Sequence, residues 1–349
     1  MLSARSAPRW APLMLAAVVA VGLVTPTVAT AAPEQERVTL RLGYFPNVTH
    51  ATALVGAESG LFREKLGSNV QLDTSTFNAG PQAIEALNSD AIDATYIGPN
   101  PAINAYAQSD GEAIRIVSGA TSGGAFLVVK PGIKGTKDLK GKKVASPQLG
   151  NTQDVAMRTW LKKKGLKTTT AGGGDVSIVP QENAQTLDLF KQGEIDGAWV
   201  PEPWATRLVQ EGGGKILVDE RKLWPEGRYV TTHLIVRTDF LKDHPDVVKK
   251  LLEGQVAANE LIANDPRRAQ QLVGQGIQSA TGKAIPAELI AASFENLVFT
   301  NDPVASSLRK SAKDAQAAGL LKPVDLKGIY NLKLLNQVLK QQGEPAVKA

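Results

Sequence analysis

The chain has 349 residues, 43% hydrophobic and 21% charged, so it can bury a large core without disulfides. Lys and Arg number 39 against 34 Asp and Glu, for a net charge of +5, and the two signs are interspersed, which excludes a nucleic-acid stripe. There is no cysteine, and the three histidines (His50, His233, His244) lack HxH or HExxH spacing, so thiolate catalysis is excluded and no metal or cofactor is expected.

In chain order, Arg5 and Arg9 precede an apolar run over residues 11–24. Pro26 breaks the run, and Ala29-Thr30-Ala31 supplies a small-x-small cleavage site. The pattern predicts a signal peptide over 1–31 and an exported protein, in a periplasm or on the outer face of the cell membrane. The run is too short to span a bilayer comfortably. Its removal takes away two arginines and no acid, lowering the net charge from +5 to +3. No cysteine follows the signal, so a lipid anchor is not expected.

Short β-rich runs then alternate with helical ones. Strands are predicted over 38–45, 70–77, 92–98 and 114–118, with helices over 49–66, 81–87 and 101–108. The pattern restarts after Gly123-Gly124. An extended run at 125–130 is followed by strands at 142–146, 176–180, 195–200 and 216–219. Helices fall between them at 152–164, 184–192 and 203–210. Residues 229–236 are β-rich again, and from Pro245 onward the pattern is almost wholly helical. Lys162-Lys163-Lys164 sits where the helix ends before Gly165, complementing the helix dipole.

The two halves echo each other. Ile92-Asp93-Ala94-Thr95-Tyr96-Ile97 and Ile195-Asp196-Gly197-Ala198-Trp199-Val200 match in type. Each leads into Pro-x-Pro and a helix (Pro99-Asn100-Pro101; Pro201-Glu202-Pro203). Two similar α/β lobes are expected: 38–124 plus 230–349, and 125–229, with crossings near 122–130 and 227–232. Ligands of such sheets lie beyond the carboxyl ends of the strands, between facing lobes.

Five turns are candidates for that cleft: 45–50, 98–100, 121–124, 148–153 and 199–204. Gly150, Asn151 and Thr152 present donors at a helix N-terminus, which reads as an anion site or as an ordinary cap. Trp199 and Trp204 read as core or as a flat wall for an alkyl group. Glu202 would repel a bare oxyanion; it could accept from a ligand ammonium or hydroxyl, or favour its helix N-terminus. His50 can cap a helix or donate to a ligand. Thr231-Thr232 can line the cleft or alternate in a strand. No GxSxG, Walker lysine loop or GxGxxG is present, and the Gly172–Gly174 and Gly212–Gly214 triplets read as turns.

Four segments carry a resemblance: LGYFPNVTHATALVGAESGLF (42–62), AIDATYIGPNPAINAY (91–106), GAWVPEPWATRLVQEGG (197–213) and FTNDPVASSLRKSAKDAQAAGLL (299–321). On these the chain resembles the substrate-binding components of ABC importers of the nitrate, sulfonate and taurine class, with aliphatic sulfonate binders closest. The resemblance implies an α/β, two-lobe periplasmic-binding-protein-like fold of the second type. Each lobe would be a mostly parallel sheet flanked by helices, with the ligand cleft between them. It implies ligand contacts from Asn47, His50, Gly98, Asn100, Ser122, Gly123 and Gly124, and from Asn151, Thr152 and Gln153. Trp199, Glu202 and Thr232 match more loosely. The expected partners are a small organic anion and ABC permease membrane subunits, with the chain itself a monomer and not an enzyme. Glu202 tilts the ligand toward an organic anion, an aliphatic sulfonate, over a simple one. Nitrate, taurine or a thiamine-precursor pyrimidine are the alternatives. An enzyme on the same scaffold, of the cysteine- and histidine-dependent pyrimidine-precursor type, and a sensory module compete with transport.

Overall fold

The computed structural model describes residues 37–349 together with Ala11; the rest of the expected signal peptide lies outside the described residues. The first half runs β1 (Val38–Tyr44), α1 (Ala51–Glu58), α2 (Leu61–Leu66), β2 (Val70–Thr76), α3 (Gly80–Asn88), β3 (Ala94–Ile97), α4 (Pro99–Gln108) and β4 (Ile114–Gly123). The second half runs β5 (Ala125–Val129), β6 (Lys143–Ser146), α5 (Thr152–Lys163), β7 (Ser177–Pro180), α6 (Asn183–Gln192), β8 (Gly197–Pro201), α7 (Trp204–Gln210) and β9 (Lys215–Asp219). The chain then returns through β10 (Val230–Arg237) to α8 (Thr238–Asp243), α9 (Pro245–Asn264), α10 (Pro266–Thr281), α11 (Ala287–Phe294), β11 (Leu297–Phe299), α12 (Ala305–Ala317) and α13 (Lys333–Gln341).

These elements build two sheets, ordered β11-β4-β10-β3-β1-β2 and β7-β6-β8-β5-β9. Parallel pairing holds for β1 with β2 and β3, and for β6 with β7 and β8. The other pairs (β10 with β3 and β4, β11 with β4, β5 with β8 and β9) are antiparallel, so both sheets are mixed. The cause is topological: β4, β5 and β10 carry the chain between the sheets and meet their neighbours head to tail. The central strands β3 and β8 are buried along their whole length, as strands covered by helices on both faces must be.

The sequence echo has one physical role in both sheets. Asp93 N donates to Arg41 O at 2.8 Å, and the Asp93 carboxylate accepts from Arg41 N at 2.8 Å. Asp196 does the same with Lys143, at 2.8 Å and 2.9 Å. Each aspartate therefore closes the gap in the ladder before the central strand begins, satisfying an N–H that would otherwise be unpaired.

Three elements differ from the sequence expectation. The helix predicted over 49–66 is broken, because Gly60 takes a left-handed φ of 80° between α1 and α2. The supposed turn at 121–124 is continuous strand ending in two glycines with φ of 85° and 72°, which swing the chain from the first sheet into the second. Neither glycine has room for a Cβ: at Gly123 it would lie 2.8 Å from Asn296 O, and at Gly124 2.1 Å from Leu297 Cδ2. Finally, β11 interrupts the helical C-terminal region and pairs with β4.

The returning helices hold both halves. α9 and α10 pack over α1 and α2, while α12 lies along α5. There Thr159 Oγ1 donates to Asp314 O at 3.2 Å and Lys162 Nζ to Ala317 O at 2.7 Å. Among the described residues no helix is long and apolar enough to cross a membrane.

Candidate functional site

Between the sheets lies a narrow inner cavity of about 20 Å³. Its lining comes from the carboxyl ends of strands in both halves, where the turn after each strand starts a helix. Asn47 and His50 precede α1, Gly98 caps α4, Asn151 caps α5, and Asn183 opens α6. Four helix N-termini thus face one small volume. α4 begins Pro99-Asn100-Pro101 and offers only Asn100 N, and Ala51 N of α1 donates to Val48 O, so the first N–H groups without an acceptor in their own helices are chiefly those of α5 and α6. In α5 the first intrahelical bond is Val155 N to Asn151 O at 3.1 Å, so Gln153 N and Asp154 N precede it. The lining holds no Asp, Glu, Lys or Arg side chain.

Two buried oxygens on this lining have no hydrogen-bond partner: Thr152 Oγ1 and Asn183 Oδ1. Both residues are more than nine-tenths buried. Leaving such groups unpaired costs about 1–3 kcal/mol each. Both oxygens are left free to pair with a group that enters the cavity.

His50 is buried and stacked on Phe45, with ring centroids 4.3 Å apart. Burial pushes its pKa down from 6.5 to about 3, so the ring is neutral. Phe45 N donates to Nδ1 at 3.3 Å, which puts the ring proton on Nε2 and makes that atom the donor.

The α5 turn is itself braced. The Asp154 carboxylate accepts from Ser146 Oγ at 2.8 Å, Gly150 N at 3.0 Å and Arg158 Nε at 2.9 Å, inside a fully buried pair. This fixes the loop that carries Asn151 and Thr152. Across the cavity, Gly98 is the point of closest approach: a Cβ there would lie 2.3 Å from Thr152 Oγ1. Two further bonds join the halves at the rim, Trp204 Nε1 to Asn47 Oδ1 at 2.8 Å and Asn78 Nδ2 to Glu182 Oε1 at 2.9 Å.

Of the residues expected from sequence, Asn47, His50, Gly98, Asn151, Thr152 and Gln153 line this cavity. The others lie elsewhere. Asn100 donates to Ser311 O at 3.3 Å, toward α12. Ser122 accepts from Tyr229 N at 3.4 Å, and Gly123 and Gly124 form the crossing described above. Thr232 Oγ1 donates to Thr49 O at 2.9 Å, whereas its neighbour Thr231 reaches the cavity. Trp199 is core: it donates to Glu220 Oε2 at 2.8 Å and packs edge-on against Trp160. Glu202 is also sealed away. Its carboxylate accepts from Thr206 N at 3.1 Å, Thr206 Oγ1 at 2.8 Å, Ser293 Oγ at 3.3 Å and Asn296 Nδ2 at 2.7 Å. It ties α7 to α11, and burial raises its pKa against those donors. With every lone pair occupied, it has nothing left to offer a ligand.

Asn78 and Asn183 are the additions. Both stand on strand-to-helix turns, Phe77-Asn78-Ala79-Gly80 and Gln181-Glu182-Asn183, of the same kind as the five chosen. Position after a strand was the signal; neither turn carries the Pro-x-Pro of 98–101 and 201–203, and Gln181-Glu182-Asn183 has no glycine.

A family model described as the NMT1-like family matches residues 32–274, more than half of the chain. A binding protein of Brucella abortus (strain 2308) is 25% identical over 253 residues, covering 72% of this chain and 74% of that protein. The taurine-binding periplasmic protein of Escherichia coli (strain K12) is 29% identical over 213 residues, covering 61% of this chain and 63% of that protein. Among solved structures, the periplasmic nitrate-binding protein NrtA from Synechocystis PCC 6803 aligns with a TM-score of 0.74 at 18% identity, over 89% of this chain and 90% of that one. The two-sheet α/β arrangement is the fold of that solved structure.

Proposed function

The chain belongs to the NMT1-like family, and on that premise we propose that it is the extracytoplasmic solute-binding component of an ABC importer for a small organic anion, an aliphatic sulfonate. The two sheets are the cores of two lobes, 38–124 with 230–349 and 125–229, which close on the ligand and present the closed surface to the permease. The chain acts by binding, as its relatives do by name.

One observation carries this reading: four helix N-termini and the unpartnered Thr152 Oγ1 converge on a buried cavity without a charged side chain. N–H groups and partial dipole charges hold an oxyanion without a counter-ion, and without the cost of burying one. Thr152 Oγ1–H, Gln153 N–H, His50 Nε2–H and an asparagine amide are the donors. A cation would meet the positive ends of four dipoles. The taurine-binding relative favours a sulfonate head over other oxyanions. The cavity has room for little more than a water molecule or two, so the ligand enters only after the lobes part. Ligand binding to the closed form then shifts the population toward it.

A thermal-shift titration with methanesulfonate, taurine, nitrate, sulfate and an uncharged sulfone tests the reading. At 100-fold its dissociation constant a sulfonate adds about 2.7 kcal/mol of apparent stability. The combined substitution Asn151→Ala and Thr152→Ala abolishes that rise. A response only to uncharged or cationic compounds sinks the proposal.

A further inference from the structure

Beyond the inner cavity lies a second, larger hollow whose place next to it bears on which sulfonate fits, an inference that rests on the reading above. The outer groove has a volume of about 310 Å³, at the lower end of small-molecule pockets. Asn47, Asn78 and Asn183 line both hollows, so the groove begins where the cavity ends.

The groove is walled by apolar surface from three elements. Leu187 of α6 and Trp204 of α7 form one side; Ile277 and Ala280 of α10, with Ile285 beyond it, form the other. Trp204 is held flat, its Nε1 fixed to Asn47 and its ring stacked under the Arg207 guanidinium at 4.9 Å. Of the charged side chains that line the groove, Arg207 and Glu182 are occupied, while Asp188 and Lys283 are exposed. Arg207 is paired with Glu211 at 2.7 Å and 3.2 Å, and Glu182 accepts from Asn78. A rigid aromatic face opposite branched aliphatics suits a hydrocarbon chain or an aryl ring.

We propose that the outer groove is the tail subsite, and that it makes this protein select sulfonates with an extended alkyl or aryl tail over methanesulfonate. The oxyanion sits among the helix N-termini, and the tail leaves between the three asparagines to lie against Trp204 and α10. Helix α10 then sets specificity from a segment of chain remote from the head-group turns.

The test is calorimetric titration of the protein with methane-, butane- and hexanesulfonate. Each methylene that enters the groove tightens binding about fourfold, so hexanesulfonate outbinds methanesulfonate by a hundredfold or more. Ala280→Trp, and separately Ala284→Trp, place an indole in the groove from exposed positions that touch no core. In both variants the ratio of methane- to hexanesulfonate dissociation constants collapses to within a few-fold of unity. Equal affinity for all chain lengths overturns the tail subsite while leaving the sulfonate reading intact, and so does an unchanged ratio in the two variants. Failure of every sulfonate to bind overturns the reading itself, and the subsite with it.

Discussion

Gly98→Ala separates closure from folding. Gly98 has φ −70° and ψ 158°, a conformation alanine adopts freely, so the open protein gains rather than loses stability, by about 0.4–1 kcal/mol through its unfolded state. In the closed form the new methyl would sit 2.3 Å from Thr152 Oγ1, 3.3 Å from Thr152 Cβ and 3.6 Å from Thr231 O. An ordinary contact needs roughly 3.5 Å, so the lobes must give by about an ångström or Thr152 must leave its rotamer. The β-branched threonine resists the second course. Overpacking of this kind costs about 1–3 kcal/mol, a loss of roughly 5- to 150-fold in affinity. Calorimetric titration against the best sulfonate, with the unfolding midpoint measured beside it, reads both effects. Because the clash is with the Thr152 side chain, Gly98→Ala in a Thr152→Ala background should cost far less than alone, a coupling that a double-mutant cycle isolates. Wild-type affinity in Gly98→Ala, or additive losses in the cycle, would refute the reasoning.

Three further outcomes are expected. Thr152→Val removes a buried unpaired hydroxyl, so thermal unfolding of the ligand-free protein occurs at the same temperature or higher, while sulfonate affinity falls by about 1.5–3 kcal/mol. Arg158→Met leaves Asp154 buried without its cation and destabilises the fold by about 3–5 kcal/mol in urea unfolding, with the α5 turn loosened. With pH, His50 and His233 are held neutral by burial, at about 3 and about 4. Their contribution is present above pH 6.5 and is lost as pH falls toward those values, since only the unfolded chain takes up the protons. Burial pushes the Glu220 carboxyl the other way, from 4.5 up to about 7, so its contribution is present below pH 4.5 and is lost as pH rises toward 7. Glu220→Gln therefore makes stability climb more steeply between pH 4.5 and 6.5 in unfolding titrations; an unaltered slope would contradict the assignment.

Much of this architecture could be read from the chain because its determinants are local. Alternation over 38–45 and the Ile-Asp echo at 92 and 195 depend on neighbours in sequence, and the repeated aspartates play the same part in both sheets. The α5 cap was legible for the same reason, since Asn151 caps its own helix. What escaped depends on distant partners. Trp199 read as core or as a cleft wall, and only its N–H bond to Glu220 decides for the core. Glu202 looked like a ligand group until Ser293 and Asn296, some ninety residues on, occupied its oxygens. Three-residue β11 carries too little pattern to declare itself, and exists because β4 offers it an edge. The break at Gly60 escaped because the apolar period continues through α2, whose Phe62 and Leu66 are as buried as Leu54 of α1.

The central claim is that neutral donors at converging helix N-termini hold a sulfonate. A crystal structure grown with 2-bromoethanesulfonate tests it most directly, because sulfur fixes the head and bromine, through its anomalous signal, the tail. The sulfonate oxygens are expected about 2.7–3.2 Å from Thr152 Oγ1 and Gln153 N, with the bromine toward Asn47 and Asn183. A sulfonate bound away from the α5 N-terminus, or held by arginine or lysine side chains, would contradict it.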